Sequence, residues 1–100
     1  MTACLHLNLR KVRDQSKFDI GDVEIDETAF MNFTGHEIWT SLLRHATGDW
    51  GDALPAECRS NDLALVEGPM IVSYYKFPNE DTLVIRTWMA RRLTTVARCF

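Results

Sequence analysis

Residues 68–99 read GPMIVSYYKFPNEDTLVIRTWMARRLTTVARC, and the fold class turns on this stretch. Gly68-Pro69 ends any preceding helix, because glycine favours the left-handed stop and proline cannot donate the next helical hydrogen bond. Met70 to Phe77 then carries the β-branched and aromatic residues that suit a pleated strand. Pro78-Asn79-Glu80-Asp81 has turn chemistry: proline fixes φ, and Asn and Asp side chains bond their own backbone. Thr82 to Ala90 is a second strand, Arg91-Arg92 a tight connection, and Leu93 to Cys99 a third strand. Strands joined this closely pair antiparallel.

Upstream, Thr34-Gly35-His36-Glu37 is a T-x-x-E capping box. The Thr34 side chain is placed to accept from the Glu37 amide, and Glu37 to reach back. Phe33 and Ile38 stand where a hydrophobic staple needs them. Ile38, Leu42 and His45 or Ala46 follow helical spacing, widened by Trp39 and Leu43, and Gly48 stops the helix. A second helix runs from about 55 to 67, with Pro55 in its first turn. Between them lies the loop Gly48-Asp49-Trp50-Gly51-Asp52.

Toward the N-terminus, Leu5, Leu7 and Leu9 alternate with His6, Asn8 and Arg10, the period of a half-buried strand over Ala3 to Arg13. Asp14-Gln15-Ser16 breaks it. Phe18, Ile20, Val23 and Ile25 mark a second extended stretch, with Gly21 shifting the alternation as a bulge would. A hairpin joins the two. Residues 27–33, ETAFMNF, suit one short turn of helix. The order β-β-α-α-β-β-β predicts an α+β domain spanning 1–100: an antiparallel sheet of about five strands with two helices on one face.

The chain has 100 residues, 46% hydrophobic and 25% charged, which is enough for one core and excludes a disordered chain. No apolar run is long enough to span a bilayer, and the N-terminus lacks the apolar block of a signal peptide, so a cytoplasmic location is expected. A net charge of −3 argues against a general nucleic-acid binder. Cys4, Cys58 and Cys99 are odd in number and without CxxC spacing, so they read as small buried hydrophobes in a reducing compartment. No zinc-type ligand spacing occurs, and no metal or cofactor is expected.

Several residues invite a chemical reading. His45, Asp49 and Asp52, with Arg44 nearby, could form a His/carboxylate site. The structural alternative is that the aspartates cap turns and the next helix start while Trp50 plugs the edge of the core, and this is favoured. Asn61, Asp62 and Glu67 could join the aspartates around a divalent cation, but no EF-hand or Asp-x-Asp spacing supports it. Ser73 sits inside a strand and reads as packing. Charge is segregated: Asp14, Asp19, Asp22, Glu24, Asp26 and Glu27 crowd one stretch, whereas Arg86, Arg91, Arg92 and Arg98 follow the last acidic residue, Asp81. Arg86, Arg92 and Arg98 with Tyr74 or Tyr75 could make a basic, aromatic sheet face, or the two segments neutralise each other in the fold.

From Phe18 onward the chain resembles a family of small bacterial and mobile-element proteins described as plasmid-related proteins. The resemblance rests on Phe18-Asp19-Ile20-Gly21, on Leu43-Arg44-His45 running into Gly48-Asp49-Trp50-Gly51-Asp52, and on Asn61-Asp62-Leu63-Ala64-Leu65. Glu67-Gly68, Ser73-Tyr74-Tyr75, Arg92 and Thr94-Thr95-Val96 continue it. The RH-x-x-GDWGD block is its most specific part. The N-terminal residues fall outside the pattern, and Met89-Ala90-Arg91-Arg92 replaces an acidic residue expected beside an Asp-Arg pair. The resemblance implies a mobile-element setting and supplies no catalytic residues.

These readings predict a non-catalytic interaction protein of a phage or plasmid. It would bind, as a monomer or homodimer, a host protein complex such as a CRISPR or restriction defence system and inhibit it. Its contact residues are expected among Asp49, Trp50, Asp52, Tyr74, Arg86, Arg91 and Arg92. The alternative is an RNA-acting domain like the RelE and ParE toxins, using the C-terminal arginines. That likeness is one of architecture, and the acidity of the chain counts against it.

Overall fold

The computed structural model describes the backbone of residues 5–8 and the whole of residues 16–99. The remainder of the expected first strand, the Asp14-Gln15 part of the break and Cys4 lie outside the described residues. The elements are β1 (Leu5–Asn8), β2 (Asp22–Ile25), α1 (Glu27–Asn32), α2 (Gly35–Ala46), α3 (Pro55–Glu67), β3 (Met70–Lys76), β4 (Thr82–Trp88) and β5 (Leu93–Cys99). The class is α+β, as the sequence predicts.

Two details of the expected architecture are corrected. First, the sheet is mixed. Its order is β1-β2-β5-β4-β3, and β2 pairs parallel with β5, from Asp22 opposite Leu93 to Ile25 opposite Val96. The β3-β4-β5 meander is antiparallel throughout, and so is the β1–β2 pair along the outer edge. The parallel step follows from the helices. A connection containing helices can carry the chain from β2 to the far edge without reversing its sense, whereas a tight turn cannot. Three strands of meander then bring β5 back beside β2.

Second, the described residues form three helices. Residues 27–32 form a complete short helix, because Asp26 caps it: its carboxylate accepts from the Thr28 amide at 3.1 Å and the Thr28 hydroxyl at 2.6 Å. Of the two longer helices, α2 covers the sheet face. Ile38, Leu42 and Ala46 meet Ile71, Tyr75, Leu83, Ile85 and Val96 in one core. The capping box forms as the sequence predicts, with Glu37 N–H donating to Thr34 Oγ1 at 3.0 Å and Thr34 N–H to Glu37 Oε1 at 2.8 Å. By contrast α3 lies along the β3 edge and buries only Asn61 and Ala64 fully, leaving Leu63 and Val66 in solvent.

Strand alternation divides the sheet into two faces. Ile71, Ser73 and Tyr75, then Leu83, Ile85 and Thr87, then Thr94 and Val96, are buried on the helix side. Val72, Tyr74, Arg86, Trp88, Leu93 and Thr95 stand half-buried on the open side.

Candidate functional site

The Gly48–Asp52 loop closes the edge of the sheet. As the outermost strand, β3 turns the amides and carbonyls of Val72, Tyr74 and Lys76 away from β4. Such an unpaired row is an invitation to pair with another chain. Here the row is occupied. Asp52 N–H donates to the Tyr74 carbonyl at 2.6 Å, Tyr74 N–H to the Trp50 carbonyl at 3.3 Å, and Lys76 N–H to Asp52 Oδ2 at 2.8 Å. Val72 is served by a side chain: its amide donates to Asn61 Oδ1 at 3.1 Å, and Asn61 Nδ2 donates to its carbonyl at 2.6 Å. Asn61 thus imitates a residue of a neighbouring strand. Gly51 is obligatory in this arrangement. Its φ is +65°, and a Cβ there would run into the Tyr74 carbonyl oxygen.

Asp49, Trp50 and Asp52 therefore behave as scaffold. Asp49 takes a two-point ion pair from Arg44, Nε to Oδ2 at 2.7 Å and Nη2 to Oδ1 at 3.2 Å, and also accepts from the Gly51 amide. The Arg44 guanidinium holds the Asp49 carboxyl below its usual range, and Asp49 raises Arg44 in turn. Arg44 also lies 4.7 Å over the Tyr75 ring, whose hydroxyl donates to the Asp49 carbonyl at 2.6 Å. Trp50 is only 6% exposed, so its ring is not offered to a partner, and its Nε1 donates to Asp62 Oδ1 at 3.0 Å. Asp52 does not cap the following helix. Glu57 does so by accepting from the Leu54 amide at 3.0 Å, while Asp52 faces Lys76. The cation cluster weighed from Asn61, Asp62, Glu67 and the loop aspartates is not assembled. Among the described residues no three His, Cys, Asp or Glu converge as metal ligands.

Beneath the loop runs a buried polar chain whose members lie far apart in the sequence. His45, Ser73, Thr87 and Thr94 are all buried. His45 Nδ1 lies 2.6 Å from Ser73 Oγ and Nε2 lies 2.9 Å from Thr87 Oγ1; Thr87 is 2.7 Å from Thr94, which donates to the Ile20 carbonyl at 2.6 Å. The last bond fixes the direction of the rest. With the Thr94 proton spent on Ile20, Thr87 must donate to Thr94, so Thr87 accepts from His45 Nε2–H. Nδ1 is then an acceptor and Ser73 donates to it. Burial, without any compensating charge, lowers the His45 pKa to about 3. Phe18 meets the imidazole edge-on, with ring centroids 5.2 Å apart. A Ser–His contact of this length has the form of a nucleophile and its base, but neither group is accessible to a substrate. The sequence signal for this chain is Ser73, Thr87 and Thr94 at inward-facing strand positions, where apolar residues are the rule.

The remaining expected contact residues are Tyr74, Arg86, Arg91 and Arg92. Tyr74 and Arg86 point out of the open sheet face, and Trp88, which is not among them, joins them there. Cross-strand register sets Arg86 between Val72 and Thr95, and Trp88 between Met70 and Leu93. Arg91 is exposed at the β4–β5 turn and lies 5.9 Å over the Trp88 ring. Burial raises the Tyr74 phenol, and Glu57 adds to the effect. Arg92 is exposed beside them with φ +49°, and its carbonyl accepts from the Asp22 amide at 3.0 Å. Arg98 belongs elsewhere: it reaches the helix side and pairs with Asp81 at 2.8 Å. Trp88 escapes a reading of the sequence, because its outward position appears only once the register is known. Cys58 and Cys99 are half-buried rather than core residues. Among the described residues no helix is long and apolar enough to cross a membrane. No family model matches the chain, and no curated protein or solved structure matches it.

Proposed function

We propose that the protein is a non-catalytic binding module of a plasmid or phage that docks on a host protein complex, of the CRISPR or restriction kind, and inhibits it. The observation that carries the reading is the open sheet face, where Tyr74, Arg86, Trp88 and Arg91 stand together on a rigid meander. Tyr, Trp and Arg are the residues that supply most binding energy in protein interfaces, because they combine large area with few rotors and directed donors. The groups fit for acid–base work serve the scaffold instead: His45 is enclosed with both ring nitrogens engaged, and Asp49 is held by Arg44. The mobile-element setting rests on the resemblance of the RH-x-x-GDWGD block.

The test compares wild type with an Arg86→Glu, Arg91→Glu double variant. Purified wild-type protein should leave RNA and DNA uncut at physiological salt. It should retain a stable complex with a host protein that the double variant loses, with no change in melting temperature. RNA cleavage that disappears in Arg92→Ala would overturn the proposal in favour of the toxin-like reading.

A further inference from the structure

Behind the sheet, on the helix side, a groove of about 220 Å³ opens between the end of β2, α1 and α2. Ile25, Phe33, Ile38 and Leu42 form its floor, and Phe30 and Trp39 stand at its walls. These walls are unusual for a solvated surface: Phe30 is 48% exposed, Trp39 38%, and the adjoining Met31 76%. Large apolar side chains clustered around a concavity mark a docking site more often than scattered single ones do.

The surrounding charge says what kind of occupant fits. Residues 25–43, which line the groove, contain Asp26, Glu27 and Glu37 and no lysine or arginine. Asp26 and Glu27 stand at the start of α1, and Glu37 in the first turn of α2, so carboxylates frame the groove at both helices. The Thr28 hydroxyl and amide hold the Asp26 carboxyl below its usual range, which keeps it ionised. Two cations of the neighbouring elements are engaged elsewhere, Arg44 with Asp49 and Arg98 with Asp81. We propose that this groove docks a basic amphipathic helix of a partner protein, its apolar stripe against Phe30 and Trp39 and its lysines or arginines toward the acidic frame. An apolar channel bordered by one sign of charge suits that ligand, because burial supplies affinity while the charges choose among amphipathic segments. The site lies on the opposite side of the sheet from the open face and stands whether or not that face binds a host complex.

The probe is a fluorescein-labelled peptide of about 18 residues, five helical turns, with leucine at helical spacing and lysine elsewhere. Its control replaces every lysine with glutamate. Anisotropy titration against the full chain should give a Kd on the order of 10 μM for the lysine peptide. It should rise several-fold between low and physiological salt, and the glutamate peptide should bind at least about tenfold more weakly. Trp39→Ala and Phe30→Asp should each weaken the lysine peptide about tenfold, and Glu27→Lys several-fold. Because Phe30 and Trp39 stand exposed at the walls, their variants should keep the wild-type circular dichroism and melting temperature, so loss of binding will not be mistaken for loss of fold. Equal affinity for both peptides, or no effect of Trp39→Ala and Phe30→Asp, would overturn the proposal. So would a dimer in sedimentation that Phe30→Asp converts to monomer, since the groove would then belong to a second copy.

Discussion

His45 shows how one residue can look chemical in a sequence and be structural in the fold. Its imidazole sits in the neutral Nε2–H form, because burial without a compensating charge disfavours the imidazolium, and its Nδ1 accepts from the Ser73 hydroxyl. The pKa is about 3 when folded and that of free histidine, about 6.5, when unfolded. Between those values the unfolded chain binds the extra proton, so stability is full above about pH 6.5 and falls as pH drops, by about 1.4 kcal/mol per unit. Urea midpoints should therefore decline from about pH 6 to pH 4, while the His45 ring resonances stay unshifted. A ring that titrates near pH 6 in the folded protein would disprove the buried relay. Trp50 is the companion case. Removing its ring takes away a buried aromatic surface, so Trp50→Ala should cost about 3–5 kcal/mol in a denaturation curve. Both residues stand out in the sequence through their setting beside the glycine-aspartate loop, and the structural reading fits their burial. Ser73, Thr87 and Thr94 stand out as polar residues at inward-facing strand positions, but that they join His45 in one chain shows only once three strands are aligned.

Among the elements, α2 is the most legible, because capping box, staple and apolar stripe are written within a dozen or so residues and need no distant partner. Thr34→Ala should lower stability by about 1 kcal/mol, read as a shift in the urea midpoint, since the Glu37 amide loses its acceptor. The β3 edge lies at the other extreme. Met70–Lys76 is recognisable as a strand from composition, but nothing local in it says that it is outermost. That status is set by Asn61, eleven residues upstream of Val72, and by the Trp50–Asp52 backbone. For the same reason the place of α3 along an edge, rather than over a face, is hidden in the sequence. Its apolar residues do not form a stripe, and the buried contact that matters is a polar one. Asn61→Ala would leave the Val72 amide and carbonyl without partners and expose a length of unpaired strand. It should cost about 1–3 kcal/mol and raise self-association in light scattering, whereas Glu67→Ala, at an exposed position of the same helix, should do neither. Unchanged stability and a strictly monomeric scattering profile would show that Asn61 does not close the edge.

Across the whole molecule, the class and the chain order of strands and helices follow from periodicity, but the β2–β5 pairing does not. Leu93–Cys99 pairs with β4 through a turn that can be read locally; its other neighbour is joined to it through most of the chain, and only closure of the core selects it. That pairing also decides what the segregated charge does. It sets Glu24 and Arg86 on either side of Thr95, so part of the acidic stretch meets the basic strands on the open face, while Asp26, Glu27 and Glu37 remain on the helix side around the groove. The molecule thus presents two unlike surfaces, one aromatic and basic, the other apolar within an acidic frame, separated by a packed sheet. Changes at separated sites without shared partners add to within about 0.5 kcal/mol. The Arg86→Glu, Arg91→Glu variant should therefore bind the lysine peptide within about twofold of wild type, and Phe30→Asp should leave the host complex formed through the open face intact. If either substitution abolished binding at the opposite surface while the melting temperature held, the two surfaces would be coupled through the sheet, and the His45–Thr87–Thr94 chain that spans α2, β4 and β5 would be the first place to look for the coupling.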